Sequence, residues 1–217
     1  MARIGVLISG CGFLDGAEIH ESVLTLLALA RRGHEVVVIA PDLDQRDVVD
    51  HHRGAPADGQ SRNLRVEAAR IARGEVVTPD AAGDLDGLVL PGGFGAAKNL
   101  SDFAINGTGC SVEPGTAELI LSTLSSNKPL GAWCIAPAVV AATLRGEPSV
   151  QMTIGNDEGT AAALEAMGAK HVECAVDECV VDATHKVVTT PAYMLDGGIA
   201  AVAEGIDKGV EAFSNLL

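Results

Sequence analysis

Aromatic side chains and positive charge are both scarce in this 217-residue sequence. It holds four Phe, one Trp and one Tyr, 3% of the chain, against a hydrophobic share of 47%. Lys and Arg number 15 against 29 Asp and Glu, a formal net charge of -14 with no basic cluster. That balance argues against a nucleic-acid or anionic-membrane partner, since both are bound by clustered cations. No run approaches the roughly 20 apolar residues that cross a bilayer. The opening "MARIGVLISGCGF" is too short in its apolar part for a secretory signal, so a cytoplasmic protein is expected. Cys-x-x-Cys pairs are lacking as well. The five cysteines (11, 110, 134, 174 and 179) form an odd, irregular set, expected as free thiols in a reducing compartment. Cys174 and Cys179, with His171 nearby, miss the usual zinc spacings, and no metal site is expected from them.

What the chain has in quantity is glycine, 25 residues, together with much Ala and Val. That composition suits closely packed parallel strands and helices. Residues 3–9, "RIGVLIS", read as a buried strand that ends in a glycine turn. "EIHESVLTLLALARRG" (18–33) follows as a helix closed by a C′ glycine, and "HEVVVIAPD" (34–42) as the next strand. Strand, helix, strand is a right-handed βαβ unit. Residues 42–62 are polar and irregular, a surface excursion, and "NLRVEAARIARG" is helical. Strands are expected at 85–93 and 129–134. A helix over 113–128 has Pro114 near its first turn, and one over 135–144 has Pro137 there. A helix at 159–169, two short strands within 178–191 and a closing helix from 196 complete the pattern. Alternating strands and helices predict an open, mostly parallel sheet covered on both faces, with no internal repeat or linker.

Cys134 stands where a strand meets a helix, in "KPLGAWCIAPAVVAATL". Ligands of open α/β sheets bind at the carboxyl ends of strands. The small residues Gly131, Ala132 and Ala136 permit a tight strand-to-helix turn like the nucleophile elbow of hydrolases. A sulfur presented there lies at a helix N-terminus, which predicts a thiol pKa below the ~8.5 of free cysteine. The backbone N–H of Ile135 would face an oxyanion on a carbonyl attacked by that sulfur. The alternative is a packing cysteine, because free Cys is among the most buried residue types. "LVLPGGFGAAKNL" (88–100) bears on the choice. It ends another strand in Gly92-Gly93, a turn able to offer the N–H of Gly93 to the same oxyanion.

Taken together, "LPGGFGAAKNL" and "WCIAPA" resemble the class I glutamine amidotransferase-like superfamily on its PfpI side. Longer strings, "IGVLISGCGFLDGAEIHESVLTLLALARRG", "EAARIARGE", "PGGFGAAKNLSDFA", "TTPAYML" and "GIDK", resemble the isoprenoid biosynthesis glyoxalase ElbB group over nearly the whole chain. The resemblance implies one flavodoxin-like domain over 1–217, a three-layer sandwich. It also implies a cysteine nucleophile and weak, cofactor-independent conversion of 2-oxoaldehydes such as glyoxal or methylglyoxal to 2-hydroxy acids, with a link to isoprenoid biosynthesis. In the superfamily an acid on the helix after the first strand contacts the nucleophile. Counted back from Gly33 the matching residue is Glu21, with Glu18 also in reach. Many members place a His directly after the nucleophile; here Ile135 follows, and neither His171 nor His185 matches the motif. That departure speaks against an amidase-type triad. Expected partners are a small-molecule aldehyde and a second copy of the chain, with no nucleic acid, membrane, metal or cofactor.

Three other readings compete, one of them a glutaminase subunit that needs a partner, which the missing His disfavours. "SGCGFLDG" between strand and helix, with Asp42 at the end of the next strand, suggests a dinucleotide site, but its glycines run G-x-G-x-x-x-G instead of G-x-G-x-x-G. A non-enzymatic redox sensor or chaperone-like protein would use the same thiol, because low-pKa thiols oxidise readily.

Overall fold

The computed structural model describes residues 1–217 except Pro148. In chain order the first elements are β1 (Arg3–Leu7), α1 (Ile19–Arg31), β2 (Glu35–Ile39), β3 (Val49–Asp50), β4 (Ala55–Pro56) and α2 (Leu64–Ala72). Next come β5 (Gly87–Leu90), α3 (Phe94–Lys98), α4 (Phe103–Asn106), α5 (Pro114–Ser125), β6 (Leu130–Trp133) and α6 (Ala136–Thr143). The last are β7 (Gln151–Met152), α7 (Glu158–Ala166), β8 (Lys170–His171), β9 (Val180–Asp182), β10 (Val187–Thr190) and α8 (Gly198–Ser214).

Six strands form the central sheet in the order β2-β1-β5-β6-β10-β9. All neighbours pair in parallel except β9, which is antiparallel at one edge. The alternation of side chains along each strand divides the core in two. Ile4, Val6, Val89 and Val188 face α1, α2 and α8, while Leu7, Leu88, Leu90 and Val187 face α3, α5, α6 and α7. Both faces being covered, the inner strands are largely apolar, and β5, β6 and β10 are buried at every residue. The flavodoxin-like three-layer sandwich expected from the sequence is the observed architecture.

Small residues let the layers approach. A Cβ on Gly87 would stand 2.5 Å from the Cζ of Phe213, so α8 lies directly on β5. Trp133, fully buried, occupies the room left by Gly131 and Gly209. Burying such a ring contributes about 1.5–3 kcal/mol relative to exposure.

Several elements have no counterpart in the sequence reading. The excursion at 42–62 contains the antiparallel pair β3–β4, and β7 and β8 form a separate parallel pair. Two-residue strands show no periodicity, and only their tertiary neighbours create them. The short helices α3 and α4 follow the Gly92-Gly93 turn and were not anticipated either.

Candidate active site

The carboxyl ends of β1, β5, β6 and β10, the four central strands, open on one place. Cys134 follows β6 directly and has φ 57°, in the left-handed region that side chains other than Asn, Asp and Gly rarely adopt. Such a conformation costs on the order of 1–3 kcal/mol and persists where its surroundings impose it. Here the Cys134 N–H donates to the Thr190 carbonyl at 3.0 Å, and the preceding Trp133 donates its Nε1–H to Thr25 Oγ1 at 2.9 Å. The elbow therefore fixes the thiol between β6 and the first turn of α6.

Glu21 is fully buried beside Cys134: a Cβ built on Gly92 would meet Glu21 Oε2 at 2.9 Å and Cys134 Cβ at 2.5 Å. Its carboxyl accepts from the Gly92 N–H at 2.8 Å through Oε2 and from the Tyr193 N–H at 3.2 Å through Oε1. Burial, then the charge of Glu18, raise its pKa from the ordinary 4.5 to about 7 against the pull of those N–H groups. Glu18 is the N-cap of α1 and accepts from the Glu21 N–H at 2.7 Å. The structure thus brings Glu21 to the sulfur and leaves Glu18 as the cap.

Gly93 and Ile135 line the same cavity as Cys134, and their backbone N–H groups favour the charged form of its sulfur. Gly93 has φ +94°, and any Cβ there would run into the backbone of Glu18 and Gly16. Gly92 is confined by contact alone: an added Cβ would lie 2.5 Å from Cys134 Cβ and 2.9 Å from Glu21 Oε2.

The expectation of a low thiol pKa does not hold. Burial, followed by the charge of Glu21, pushes the Cys134 thiol well above the ordinary range, against the Gly93 and Ile135 N–H groups. Cys134 is only 7% exposed, and two N–H groups do not compensate that loss of solvent. The sulfur rests protonated beside a carboxyl whose pKa lies near neutrality.

His171 and His185 lie elsewhere. His171 Nε2 is 3.4 Å from the Ile154 N, and His185 Nδ1 is 2.8 Å from Asp182 Oδ2 at the β9–β10 turn. Two imidazoles border the site: His20, whose Nδ1 is 2.7 Å from the Tyr193 hydroxyl, and His51, whose ring centre is 5.5 Å from that of Phe13. Nothing in the sequence reading singled out the His20–Tyr193 pair, because their juxtaposition depends on α1 meeting the segment after β10. The glycine loop at 10–16 folds on itself, with Gly12 N donating to Ala17 O at 2.9 Å. The side chains of Gln45 and Asn99 both donate to the Asp15 carbonyl. Asp42 is engaged by Asn63 and Arg65, so neither half of a dinucleotide site is open. Among the described residues no three His, Cys, Asp or Glu side chains gather as a metal site.

A cavity of about 510 Å³ lies over the sulfur, lined by Glu18, Gly93, Ile135, Tyr193 and Met194 and by apolar side chains from Phe13 to Phe103.

Comparison with known proteins bears on the fold and the family. No family model matches the chain. The human mitochondrial "Glutamine amidotransferase-like class 1 domain-containing protein 3" is 43% identical over 226 residues, covering 99% of this chain and 83% of its own length. The rat mitochondrial "ES1 protein homolog" is 42% identical, covering 99% and 84%. A solved structure from Ehrlichia chaffeensis, described as an isoprenoid biosynthesis protein with an amidotransferase-like domain, superimposes with TM-score 0.91 at 35% identity. It covers 99% of this chain and 100% of that one. DJ-1beta of Drosophila melanogaster shares the fold alone, at TM-score 0.55 and 19% identity over 100% of this chain and 96% of that one. Both mammalian relatives are mitochondrial proteins, which overturns the cytoplasmic expectation. That expectation rested on a missing secretory pattern, which says nothing of a compartment reached by another signal. On identity, coverage and fold together, the chain belongs to the glutamine amidotransferase-like class 1 family that includes the ES1 proteins, built on the DJ-1/ThiJ/PfpI scaffold.

Proposed function

We propose that this protein is a cofactor-independent glyoxalase of the ElbB type, converting 2-oxoaldehydes to 2-hydroxy acids through Cys134 and Glu21. The observation that carries the reading is the placing of Cys134 and the buried Glu21 carboxyl against one turn, Gly92-Gly93, with burial raising the Glu21 pKa to about 7. A base tuned close to the working pH has the largest product of correct protonation and driving force. As the sulfur adds to the aldehyde carbon, Glu21 takes the S–H proton. The oxyanion that forms is received by the Gly93 and Ile135 N–H groups and takes that proton back from Glu21, giving a hemithioacetal and restoring the carboxylate. Glu21 then removes the proton from the former aldehyde carbon, giving an enediol, and returns it to the neighbouring carbon. One carbon is oxidised and its neighbour reduced, so no external oxidant enters. The resulting thioester is hydrolysed by water, which releases the 2-hydroxy acid and restores the thiol.

The absence of an adjacent His suits this chemistry, because no amine leaving group needs a proton. A redox sensor is less well supported, since oxidation follows thiolate character and this thiol is held protonated. The Ehrlichia chaffeensis relative's description supports a link to isoprenoid biosynthesis. The assembly belongs to the same proposal: a homodimer, with the exposed Ile19, Val23 and Leu27 spaced four apart along α1 as its self-complementary stripe.

The test is incubation with glyoxal and methylglyoxal, followed by NMR, with Cys134→Ala alongside. Glycolate and lactate should accumulate over many turnovers in the natural protein only. Product formation that survives Cys134→Ala, or stops after one equivalent, would remove the nucleophile from the reading.

A further inference from the structure

The few aromatic residues of this chain are not scattered. Trp133 and Phe213 are fully buried in the core. The remaining three Phe and the only Tyr (Phe13, Phe94, Phe103 and Tyr193) all line the cavity above Cys134. Phe13 and Phe94 are each 47% exposed there, a conformation in which large apolar rings stay wet unless something covers them. Ala97 and Ala104 on the same lining leave room between the rings.

Charge on this lining is of one sign. Among the described residues its only carboxylate is Glu18, and no Lys, Arg or His is part of it. The Lys98 ammonium, 5.5 Å from the Phe94 ring centre, is committed to Asp47 Oδ2 at 2.9 Å and the Leu14 carbonyl at 3.0 Å. His20 is held at the Tyr193 hydroxyl. A carboxylate- or phosphate-bearing substrate would find Glu18 and a molecule of net charge -14, with no donor fork to receive it. At about 510 Å³ the cavity is in the range of roughly 300–1,000 Å³ that encloses ligands far larger than methylglyoxal.

We infer that the cavity selects an uncharged carbonyl compound with an aromatic or bulky apolar body, of the arylglyoxal class, and turns away anionic ones. This rests on the reading that Cys134 attacks a carbonyl carbon. The rings of Phe13, Phe94 and Phe103 take the apolar body by burial and edge-to-face contact, and the reacting carbonyl points at the sulfur and the Gly93 and Ile135 N–H groups. Glu18 sets the charge preference. The chemistry is unchanged: phenylglyoxal and water give mandelate, the aldehyde carbon oxidised and its neighbour reduced.

Two measurements separate this inference from the reading beneath it. The first compares kcat/KM for phenylglyoxal, methylglyoxal and glyoxal. The second needs no turnover: site-resolved alkylation of Cys134 by iodoacetanilide, iodoacetamide and iodoacetate, each rate divided by that of glutathione with the same reagent. Phenylglyoxal should exceed methylglyoxal by at least ~10-fold, the order of effect that apolar pocket contacts produce. Iodoacetanilide should exceed iodoacetamide, and iodoacetate fall below it, by a similar factor. Phe103→Ala should erase the aromatic advantage, and Glu18→Gln should raise the iodoacetate rate relative to the iodoacetamide rate, a ratio in which any change in the Glu21 base cancels. The natural protein's reagent ranking stands as a test even where a variant fails to fold. If the ranking holds but no aldehyde turns over, the selectivity stands and the glyoxalase reading falls. If methylglyoxal turns over through Cys134 with no aromatic or charge preference, the glyoxalase reading stands and this inference is overturned. If Cys134 meets neither reagent nor aldehyde, both are overturned.

Discussion

Glu21 carries a stability cost that can be read separately from its chemistry. Its folded pKa of about 7 lies above the ordinary 4.5, so the folded chain holds the proton more tightly than the unfolded one. The stabilisation is therefore complete below pH 4.5 and is lost as pH rises through 7. For a fully buried group the difference amounts to about 3 kcal/mol. Urea unfolding of the natural protein and of Glu21→Gln should show their stability difference falling by about that amount between pH 4.5 and 7. A difference that stays flat would mean the carboxyl titrates as an exposed group. Glu18→Gln keeps an oxygen for the Glu21 N–H, so as a cap change it should alter stability by less than about 1 kcal/mol at pH 4.5, with a shallower slope than Glu21→Gln because the charge of Glu18 is the lesser cause of the raised Glu21 pKa. The position of Cys134 at a strand–helix joint was legible, because the signal is local: a strand, a cysteine, small residues and a proline at the right offset. Its titration was not. The helix N-terminus argued for a thiolate, but burial of the sulfur and the charge of Glu21 are set by segments distant in sequence.

At the scale of elements, the site depends on how closely the turn after β5 approaches α1 and the elbow. Gly92→Ala would press its Cβ against Cys134 and Glu21 and should cost at least ~10-fold in turnover along with about 1–3 kcal/mol of stability, read by steady-state kinetics and denaturant unfolding. Gly33→Ala is the matched comparison. It also has positive φ (+73°), but no atom lies within 4 Å of its added Cβ. It should lose only the ~1–2 kcal/mol of a left-handed residue and keep full activity. Equal activity in both variants would show that the Gly92 contact does not position the thiol. The Gly92-Gly93 turn could be read because glycine pairs after a strand have few uses. The short helices α3 and α4, which bring Phe94 and Phe103 over the cavity, could not be: helices of four or five residues have no periodicity to find.

The whole molecule presents one more unpartnered feature beside the site. Ile19, Val23 and Leu27 form an exposed apolar stripe on the same helix that carries Glu18 and Glu21. Sedimentation of the natural protein should report a dimer, and Val23→Asp should report a folded monomer; a natural protein that sediments as a monomer would remove that part of the account. The βαβ order and the two-sided burial of the sheet were plain in the sequence, since continuous apolar runs between helices admit few architectures. The His20–Tyr193 pair and the aromatic lining were not, because they arise only when α1, α3, α4 and the segment after β10 meet.

The measurement that bears most directly on the account is kcat/KM for methylglyoxal against pH, in the natural protein and in Glu21→Gln. The natural protein should gain activity as pH rises, with an apparent pKa near 7, as the Glu21 carboxyl loses its proton and becomes the base for the Cys134 thiol. Glu21→Gln, which cannot accept that proton, should lose the rising limb and fall by ~10²–10⁴ in rate, the usual contribution of a general base. A Glu21→Gln protein that keeps both its rate and the limb near pH 7 would contradict the assignment of Glu21 as the base that activates Cys134.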